Sequence, residues 1–540
     1  MKHTLISSLA IGIALTACQP VVDKPTPQTS ETKVIDFKAS GLVAGTLPEI
    51  IDALETGKVN SERLVNLYLE RIENIDKSGP QLQAVLSINP DALSQGRALD
   101  KKRAQGEILG PLHGVPVLLK DNIESKDRLA TTAGAVALKD NITGRDSPLV
   151  AGLRAQGAII LGKTNLSQWA NFRSEGAMSG WSALGGQVHN PHMLDRNPCG
   201  SSSGSGAATA ASLAAATVGT ETNGSVICPS NANGIVGFKP TVGLVSQQFI
   251  IPISESQDTA GPMTKTVMGA ALMMNAMATS SSKDFTLGLV KNSLKGVRVG
   301  VLNFAKGESK PILTLFNQAL EDLEAAGAVL VDINKAPQAP QDFGKMSYDI
   351  LKYEFKDGLN KYLASTSPEL VDTRTLQQLI DFNVSHKKEL ALFDQSIFLA
   401  AQAMGTLESE EYKAALKTVQ RATREEGIDA LLLEHNVEVL IAPSGLIVPR
   451  IDPINGDVWP NDWPGYGGYA ARAGYPHVTV PMGGVHKLPV GLSFIGGKNA
   501  DAEVLAYAYG YEQQSQKRLE PQYLKSAEDL ADVKEAMAPK

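Results

Sequence analysis

The most constraining feature of this chain is a run of small residues between Pro198 and Pro240. In that run, serine-glycine turns at positions 200–206 and 223–225 flank an alanine-rich segment that predicts a helix. Glycine lets the backbone approach a ligand closely, and a serine hydroxyl can act as a nucleophile or relay a proton. Serine-glycine clusters are often flexible linkers, but the neighbouring helix and an apolar strand argue for a packed site here.

A lone lysine, Lys120, ends the apolar run 115–119, which predicts a buried strand. Taken alone, such a lysine is more often a solvated loop residue than a catalyst. Its position at a strand end also allows a place in a cleft, because ligands gather at strand ends in α/β sheets. Burial disfavours the ammonium form and lowers the pKa of a lysine. A fall of roughly 3 units from about 10.4 would leave a neutral amine that accepts a serine proton near neutral pH.

Together these segments resemble the signature of the amidase signature family. The similarity continues through 257–262 (QDTAGP) and 473–513, and the CGSSSGSG wording is similar to that of bacterial peptide amidases. The resemblance implies an α/β fold, a single large domain with a mixed central sheet covered by helices on both faces. It also implies hydrolysis of an amide without a metal or an organic cofactor.

By the same resemblance, Ser201 bridges Lys120 and the nucleophile Ser225, and the peptide between Gly200 and Ser201 is cis. Neutral Lys120 would take a proton from Ser225 through Ser201, and Ser225 would attack the amide carbonyl. The family forms its oxyanion hole from four backbone N–H groups, which match those of Thr222, Asn223, Gly224 and Ser225.

The expected substrates are small-molecule or peptide amides: C-terminal peptide amides or acyl amides, hydrolysed to a carboxylate plus ammonia or an amine through an acyl-enzyme. Many family members carry an arginine two residues beyond the nucleophile, where this chain has Ile227. An arginine there would pair with an anionic substrate group. Ile227 instead favours a neutral acyl portion at that point.

Two further motifs compete with this interpretation. Residues 157–164 (GAIILGKT) fit a phosphate-binding loop, but the middle of the motif predicts a strand, whereas the pattern needs its strand before the first glycine. Residues 200–204 (GSSSG) fit a nucleophile elbow centred on Ser202, which would indicate an α/β-hydrolase-type serine esterase. The elbow requires a preceding strand, and 190–199 is polar and broken by proline, so a triad without histidine is favoured.

The N-terminus predicts export. The apolar run 5–17 is shorter than the ~20 residues that span a bilayer, and residues 1–17 are typical of a signal peptide. Residues 15–18 (LTAC) resemble a lipoprotein processing box that would leave Cys18 lipidated, the alternative being a secretory signal with a chance cysteine. The residue after Cys18 is Gln19. This resembles the lipoproteins that Gram-negative bacteria sort to the outer membrane, where the protein would face the periplasm.

The predicted organisation is therefore a signal peptide at 1–17, a lipidated flexible tether at 18–40, an amidase domain at 41–530 and a tail at 531–540. The membrane would be contacted only through the lipid. The two other cysteines, Cys199 and Cys228, are expected to be small buried thiols, with a disulfide as the alternative in an oxidising compartment.

Composition agrees with one large enzyme, since 43% of the 540 residues are hydrophobic. The net charge of −7 argues against nucleic-acid binding, which favours basic clusters. Predicted helices at 47–55 and 61–75 alternate later with short strands, and a more helical stretch at 281–434 is expected to shape the substrate pocket.

Trp459, Trp463 and Tyr466 would form a substrate lid or pin a long loop to the surface.

Two other classes of function stay open. A glutamine-amidotransferase-like subunit would use the same chemistry to pass ammonia to a partner, but the export signal counts against it. A non-catalytic envelope lipoprotein is the second, and the intact Lys120, Ser201 and Ser225 argue against it.

Overall fold

The computed structural model describes residues 41–539, so the predicted signal peptide and the whole predicted tether, Cys18 included, lie outside the described residues. The strands of this part of the chain, in order, are β1 Val85–Ile88, β2 Pro116–Lys120, β3 Ile159–Thr164, β4 Trp181–Ser182, β5 Gly186–Gln187, β6 Ala216–Glu221, β7 Val236–Lys239, β8 Thr259–Thr264, β9 Arg298–Leu302, β10 Val329–Ile333, β11 Val439–Pro443, β12 His477–Val485 and β13 Leu488–Ile495.

The α-helices of the same residues are α1 Leu47–Glu55, α2 Ser61–Arg71, α3 Ala92–Ala104, α4 Pro148–Ala155, α5 Ser203–Ala210, α6 Ile227–Asn233, α7 Val267–Met277, α8 Lys310–Ala325, α9 Phe343–Ser365, α10 Leu376–Ser385, α11 Ser396–Gln402, α12 Glu410–Thr423, α13 Asp429–Glu434, α14 Gly467–Ala473, α15 Asp501–Ser515 and α16 Ala531–Met537.

Within these residues, eleven strands form one mixed sheet in the order β1-β3-β2-β6-β8-β7-β12-β13-β11-β9-β10. β2 pairs in parallel with both β3 and β6, whereas β8 pairs antiparallel with β6 and β7. Every residue of β2, β3, β6 and β8 is buried, so both faces of the sheet are covered there. The predicted α/β class and mixed sheet are confirmed.

Local signals explain where the first helices begin. Thr46 and Glu49 form a capping box at the start of α1, and Asn60 accepts a hydrogen bond from the Arg63 amide at the start of α2. The predicted helix 61–75 is α-helical only to Arg71 and continues as a π-helical turn. Its apolar side chains remain buried through that turn, which is why the sequence pattern shows no break.

The apparent phosphate-binding motif is a buried strand. Its lysine, Lys163, is fully buried on β3 and donates to the carbonyl oxygen of Ile123 and, at 2.7 Å, to Thr131 Oγ1. A strand cannot cradle a phosphate with consecutive backbone amides, so the rejection of this motif is confirmed.

A second hydrophobic core lies beside the sheet and is built largely by α9, α10 and α11. Phe355 and Phe398 of these helices pack with Trp169 and Phe172 from the segment after β3. The predicted tail contains the short helix α16, in which no residue is buried. No helix between residues 41 and 539 is both long enough and apolar enough to cross a bilayer.

Candidate active site

Lys120 ends β2 and is fully buried. Its Nζ donates to Ser201 Oγ at 2.8 Å, to Thr220 Oγ1 at 2.9 Å and to the Thr220 carbonyl at 3.2 Å. Thr220 comes from β6, the parallel neighbour of β2, so two adjacent strand ends hold the amine against Ser201. The expected cleft at the strand ends is therefore present.

Burial lowers the pKa of Lys120 to about 7, although the carboxylates of Asp258 and Glu221 act in the opposite direction. The ammonium form loses hydration that three hydrogen bonds replace only in part. A substantial fraction of the side chain is then neutral near pH 7, as a general base at this position requires.

The first serine turn is built by close backbone approach. The peptide between Gly200 and Ser201 is cis, as the resemblance implied. A Cβ at position 200 would lie 2.2 Å from Ser167 Oγ, so only glycine fits. The Ser201 carbonyl accepts a hydrogen bond from the Ser167 amide at 3.1 Å, which fixes the turn ahead of α5.

The second serine turn connects β6 to α6. Ser225 is 9% exposed, and together with Ser201 it lines a cavity of about 450 Å³, the candidate catalytic cavity (below, the catalytic cavity). The Ser202 amide donates to the Ser225 carbonyl at 3.2 Å, which ties the two turns together. Ser201 and Ser225 thus line the same cavity, and Ser201 also accepts a hydrogen bond from Lys120.

The amides of this turn are arranged to receive an anion. The amides of Val226 and Ile227 both donate to Glu221 Oε2, at 2.7 and 2.9 Å. In contrast, the amides of Asn223, Gly224 and Ser225 donate to no other group of residues 41–539. Thr222, the fourth predicted donor, lines the same cavity. Free amides at one turn suit a developing oxyanion.

The elbow alternative does not fit this geometry. Ser202 is fully buried, and its Oγ donates to the Thr220 carbonyl at 3.1 Å and accepts from the Thr220 amide at 3.2 Å. Its hydroxyl is occupied within the fold and does not line the catalytic cavity. Ser202 is therefore a structural residue of the turn.

Two cavities adjoin at the serines. The catalytic cavity is closed on one side by α9, whose Tyr348 and Leu351 line it, so the predicted role of the helical region in shaping the pocket agrees with the structure. A second cavity, of about 280 Å³, shares the catalytic cavity's residues Asn171, Gly200 and Asn223.

The aromatic loop contributes two of its three predicted residues. Trp459 and Trp463 line the second cavity, with ring centroids 5.0 Å apart. Tyr466 lines neither cavity. It is buried and stacks on Tyr469 at 4.3 Å, so this side chain anchors the loop to the interior. For Tyr466 the lid expectation is wrong, because the apolar cluster under the loop takes up the ring.

Cys199 and Cys228 form a disulfide with a Cα–Cα distance of 5.8 Å, so the expectation of two free thiols is wrong. The sequence carried no distance between them. The contact between the two serine turns brings the residue before Gly200 against the first turn of α6. Both cysteines line the second cavity.

We expect the Cys199→Ala/Cys228→Ala variant to lose roughly 3 to 4 kcal/mol of unfolding free energy, because the disulfide closes a loop between residues 29 apart in sequence. Urea unfolding measures this loss. Thiol titration of the denatured, unreduced Cys18→Ala variant is the companion test: reaction of the two remaining thiols would contradict the bond.

Some contributors to the site were missed from the sequence. Thr220 holds Lys120, Glu221 braces the second turn, and Asp258 accepts a hydrogen bond from Thr222 Oγ1 at 2.5 Å. Thr220 and Glu221 lie within the run of small residues, just before the second serine turn, so a strand prediction for 216–221 would have placed them at the cleft. Asp258 lies in the 257–262 segment that resembles the family, but that segment does not indicate which group its carboxylate contacts.

Known proteins resemble this chain over most of its length. A family model described as amidase matches residues 63–505. The native peptide amidase from Stenotrophomonas maltophilia is 41% identical to this chain, with a TM-score of 0.83, and the match covers 88% of this chain and 98% of that one. A probable amidase from Arabidopsis thaliana is 34% identical over 503 residues, covering 89% of this chain and 91% of the relative.

A glutamyl-tRNA(Gln) amidotransferase subunit from Microcystis aeruginosa is also similar, at 30% identity over 494 residues, covering 84% of this chain and 95% of the relative. The chain belongs to the amidase signature family. It is an amide hydrolase, and its fold is that of the solved peptide amidase.

Proposed function

We propose that this enzyme hydrolyses carboxamides through a Ser-Ser-Lys triad of Ser225, Ser201 and Lys120, with C-terminal peptide amides or acyl amides as substrates. The observation that carries the proposal is the buried Lys120 amine, which lies 2.8 Å from Ser201 Oγ and has a pKa lowered to about 7. Its hydrogen-bond partners are hydroxyl and carbonyl oxygens. Among residues 41–539, no carboxylate bonds to the amine to hold it in the charged form, which suits a base.

The proposed reaction begins when neutral Lys120 accepts the Ser201 proton while Ser201 accepts that of Ser225. Ser225 Oγ attacks the carbonyl carbon, and the free amides of the second turn donate to the oxyanion. The proton returns through Ser201 to the amide nitrogen, the C–N bond breaks and ammonia or an amine leaves. Water then attacks the ester and restores Ser225.

Peptide amides are favoured as substrates over free glutamine. The peptide amidase shares 41% identity with this chain, compared with 30% for the amidotransferase subunit. The catalytic cavity of about 450 Å³ is within the range that encloses small ligands, and the second cavity of about 280 Å³ extends it. Ile227 lines that second cavity and favours a neutral group there.

The experiment is ammonia release by the purified protein from N-acetyl tripeptide amides, acyl amides, small carboxamides and glutamine. We expect the highest kcat/KM for a peptide amide or an acyl amide. Release from glutamine alone would point to an amidotransferase-like protein instead, and no release from any compound would contradict the proposed function.

The pH dependence tests the lysine separately. We expect kcat/KM to rise with pH through about 7, because only the neutral amine accepts a proton and burial lowers the pKa of Lys120 to about that value. The Asp258 carboxylate raises this pKa, so Asp258→Asn should move the rising limb to lower pH. An activity that falls through this range, or a limb unmoved in the variant, would contradict Lys120 as the base.

We also propose that the protein is exported and anchored through a lipid on Cys18. The Cys199–Cys228 disulfide supports an oxidising compartment, since such bonds are rare in the cytosol. Labelling of cells with a clickable fatty acid should tag the wild type and not Cys18→Ala. Labelling of neither would contradict the anchor.

The loop that carries Trp459 and Trp463 is proposed to cover the acyl or peptide portion of the substrate. Shortening this loop should then raise KM more for peptide amides than for small carboxamides. An unchanged KM across the panel would contradict a lid.

A further inference from the structure

Arg472 places a cation in the catalytic cavity. The residue belongs to the last turn of α14 and lines the same cavity as Ser201 and Ser225. Its Nη1 donates to the Gly468 carbonyl at 2.8 Å, and its guanidinium carbon lies 5.3 Å from the centre of the Phe343 ring. These two contacts hold the guanidinium against the cavity wall.

The charge of Arg472 is not balanced by the protein. No carboxylate of residues 41–539 forms an ion pair with it, and the neighbour that acts on its pKa besides burial is Tyr469. Arg154 and Arg173, which are also mostly withdrawn from water, each pair with a carboxylate. A cation that has lost hydration without gaining a counter-ion costs free energy, which an anionic ligand would recover.

We propose that Arg472 is a specificity-determining residue that binds a carboxylate of the substrate, so that the enzyme prefers amides with an acidic acyl portion. This inference rests on the proposed function. When an unsubstituted carboxamide is cleaved, the leaving group is ammonia, so any substrate carboxylate belongs to the acyl part. A peptide amide with a glutamate or aspartate side chain is such a substrate.

The guanidinium is chemically suited to this role. It carries five N–H donors in a planar fork that matches a carboxylate with two parallel hydrogen bonds. Within residues 41–539 it donates one hydrogen bond, to Gly468. A substrate carboxylate at Arg472 is compatible with the neutral group expected near Ile227. Ile227 lines the second cavity, whereas Arg472 lines the catalytic cavity.

The test compares N-acetyl tripeptide amides that carry glutamate at each of the three positions in turn with matched peptides that carry methionine there. Methionine has a similar length and no charge. The ratio of kcat/KM for the two members of each pair is measured for wild type, Arg472→Gln and Arg424→Gln. Arg424 is a matched control, since its Nε donates to the Ala473 carbonyl at 2.8 Å, yet it lines neither the catalytic nor the second cavity.

We expect the wild type to prefer glutamate at one position by about tenfold or more, the range for a hydrogen bond to a charged group. The preference should fall to near unity in Arg472→Gln and persist in Arg424→Gln. Equal turnover of glutamate and methionine peptides by the wild type would overturn the proposal, even if Arg472→Gln failed to fold. A preference that survives in Arg472→Gln would do the same. Hydrolysis of neither series would overturn this inference, whereas the proposed function would be overturned only if the acyl amides and small carboxamides were not hydrolysed either.

Discussion

The Ser225→Ala variant should lose activity on the order of 10⁴- to 10⁶-fold in kcat, because it removes the hydroxyl that the proposed mechanism uses to form the acyl-enzyme. The triad hypothesis names Ser225 as the nucleophile and the elbow hypothesis names Ser202. Ser225 borders the free amides, whereas Ser202 is fully buried. The measurement is steady-state ammonia release from a peptide amide, with circular dichroism to show that the fold persists.

Ser202→Ala is the matched control for that experiment. It removes the hydroxyl that bonds the Thr220 backbone, so it should lower the unfolding free energy by about 1 to 3 kcal/mol. Turnover should survive in the folded variant. Loss of turnover in Ser202→Ala together with retention in Ser225→Ala would replace the triad with an elbow-type nucleophile.

The Lys120→Met variant should lose about 10²- to 10⁴-fold in kcat/KM, the usual contribution of a general base. Methionine has a similar length and fills the buried space, but it neither accepts a proton nor donates to Ser201 and Thr220. The residual activity should also lose the rise through about pH 7 that burial of the amine produces. Both effects are measured from one set of pH–rate profiles.

Lys239→Met is the control for the removal of a buried lysine. Lys239 is also fully buried, burial lowers its pKa to about 8, and its Nζ donates to the Pro240 carbonyl at 3.1 Å. It lines neither cavity at the serines. If Lys239→Met lost as much activity as Lys120→Met, the effect would come from folding, and the base would have to be sought elsewhere.

The sequence predicted the local parts of the site well. Lys120 ends a strand, and the helix and strand that surround the serine turns follow from runs of apolar and small residues. These features depend on contacts between residues close in the chain, which periodicity and glycine content record. The cis peptide before Ser201 was predicted as well, through the family resemblance.

The partners of the site were harder to predict. Asp258 lies in the 257–262 segment, but its hydrogen bond with Thr222 joins residues far apart in the sequence. Arg472 is a single charged residue in a short helix of small and aromatic residues, which carries no pattern that predicts its place in the cavity. Cys199 and Cys228 were expected to be free, because their pairing depends on how the two turns pack. The sequence could not distinguish the role of Tyr466 from that of Trp459 and Trp463. The packing of the loop buries the Tyr466 ring and leaves the two tryptophan rings at a cavity.

What the sequence by itself determined is the set of candidate groups: the serines, the lysine and the glycine-rich turns that allow close backbone approach. What only the tertiary structure decided is the environment of that chemistry. Burial at the end of β2 lowers the pKa of Lys120, and α9 and α14 line a cavity in which the Arg472 guanidinium lies with Ser225 and forms no ion pair within residues 41–539. Burial and charge balance are sums over residues far apart in the chain, so they exist only once the chain has folded.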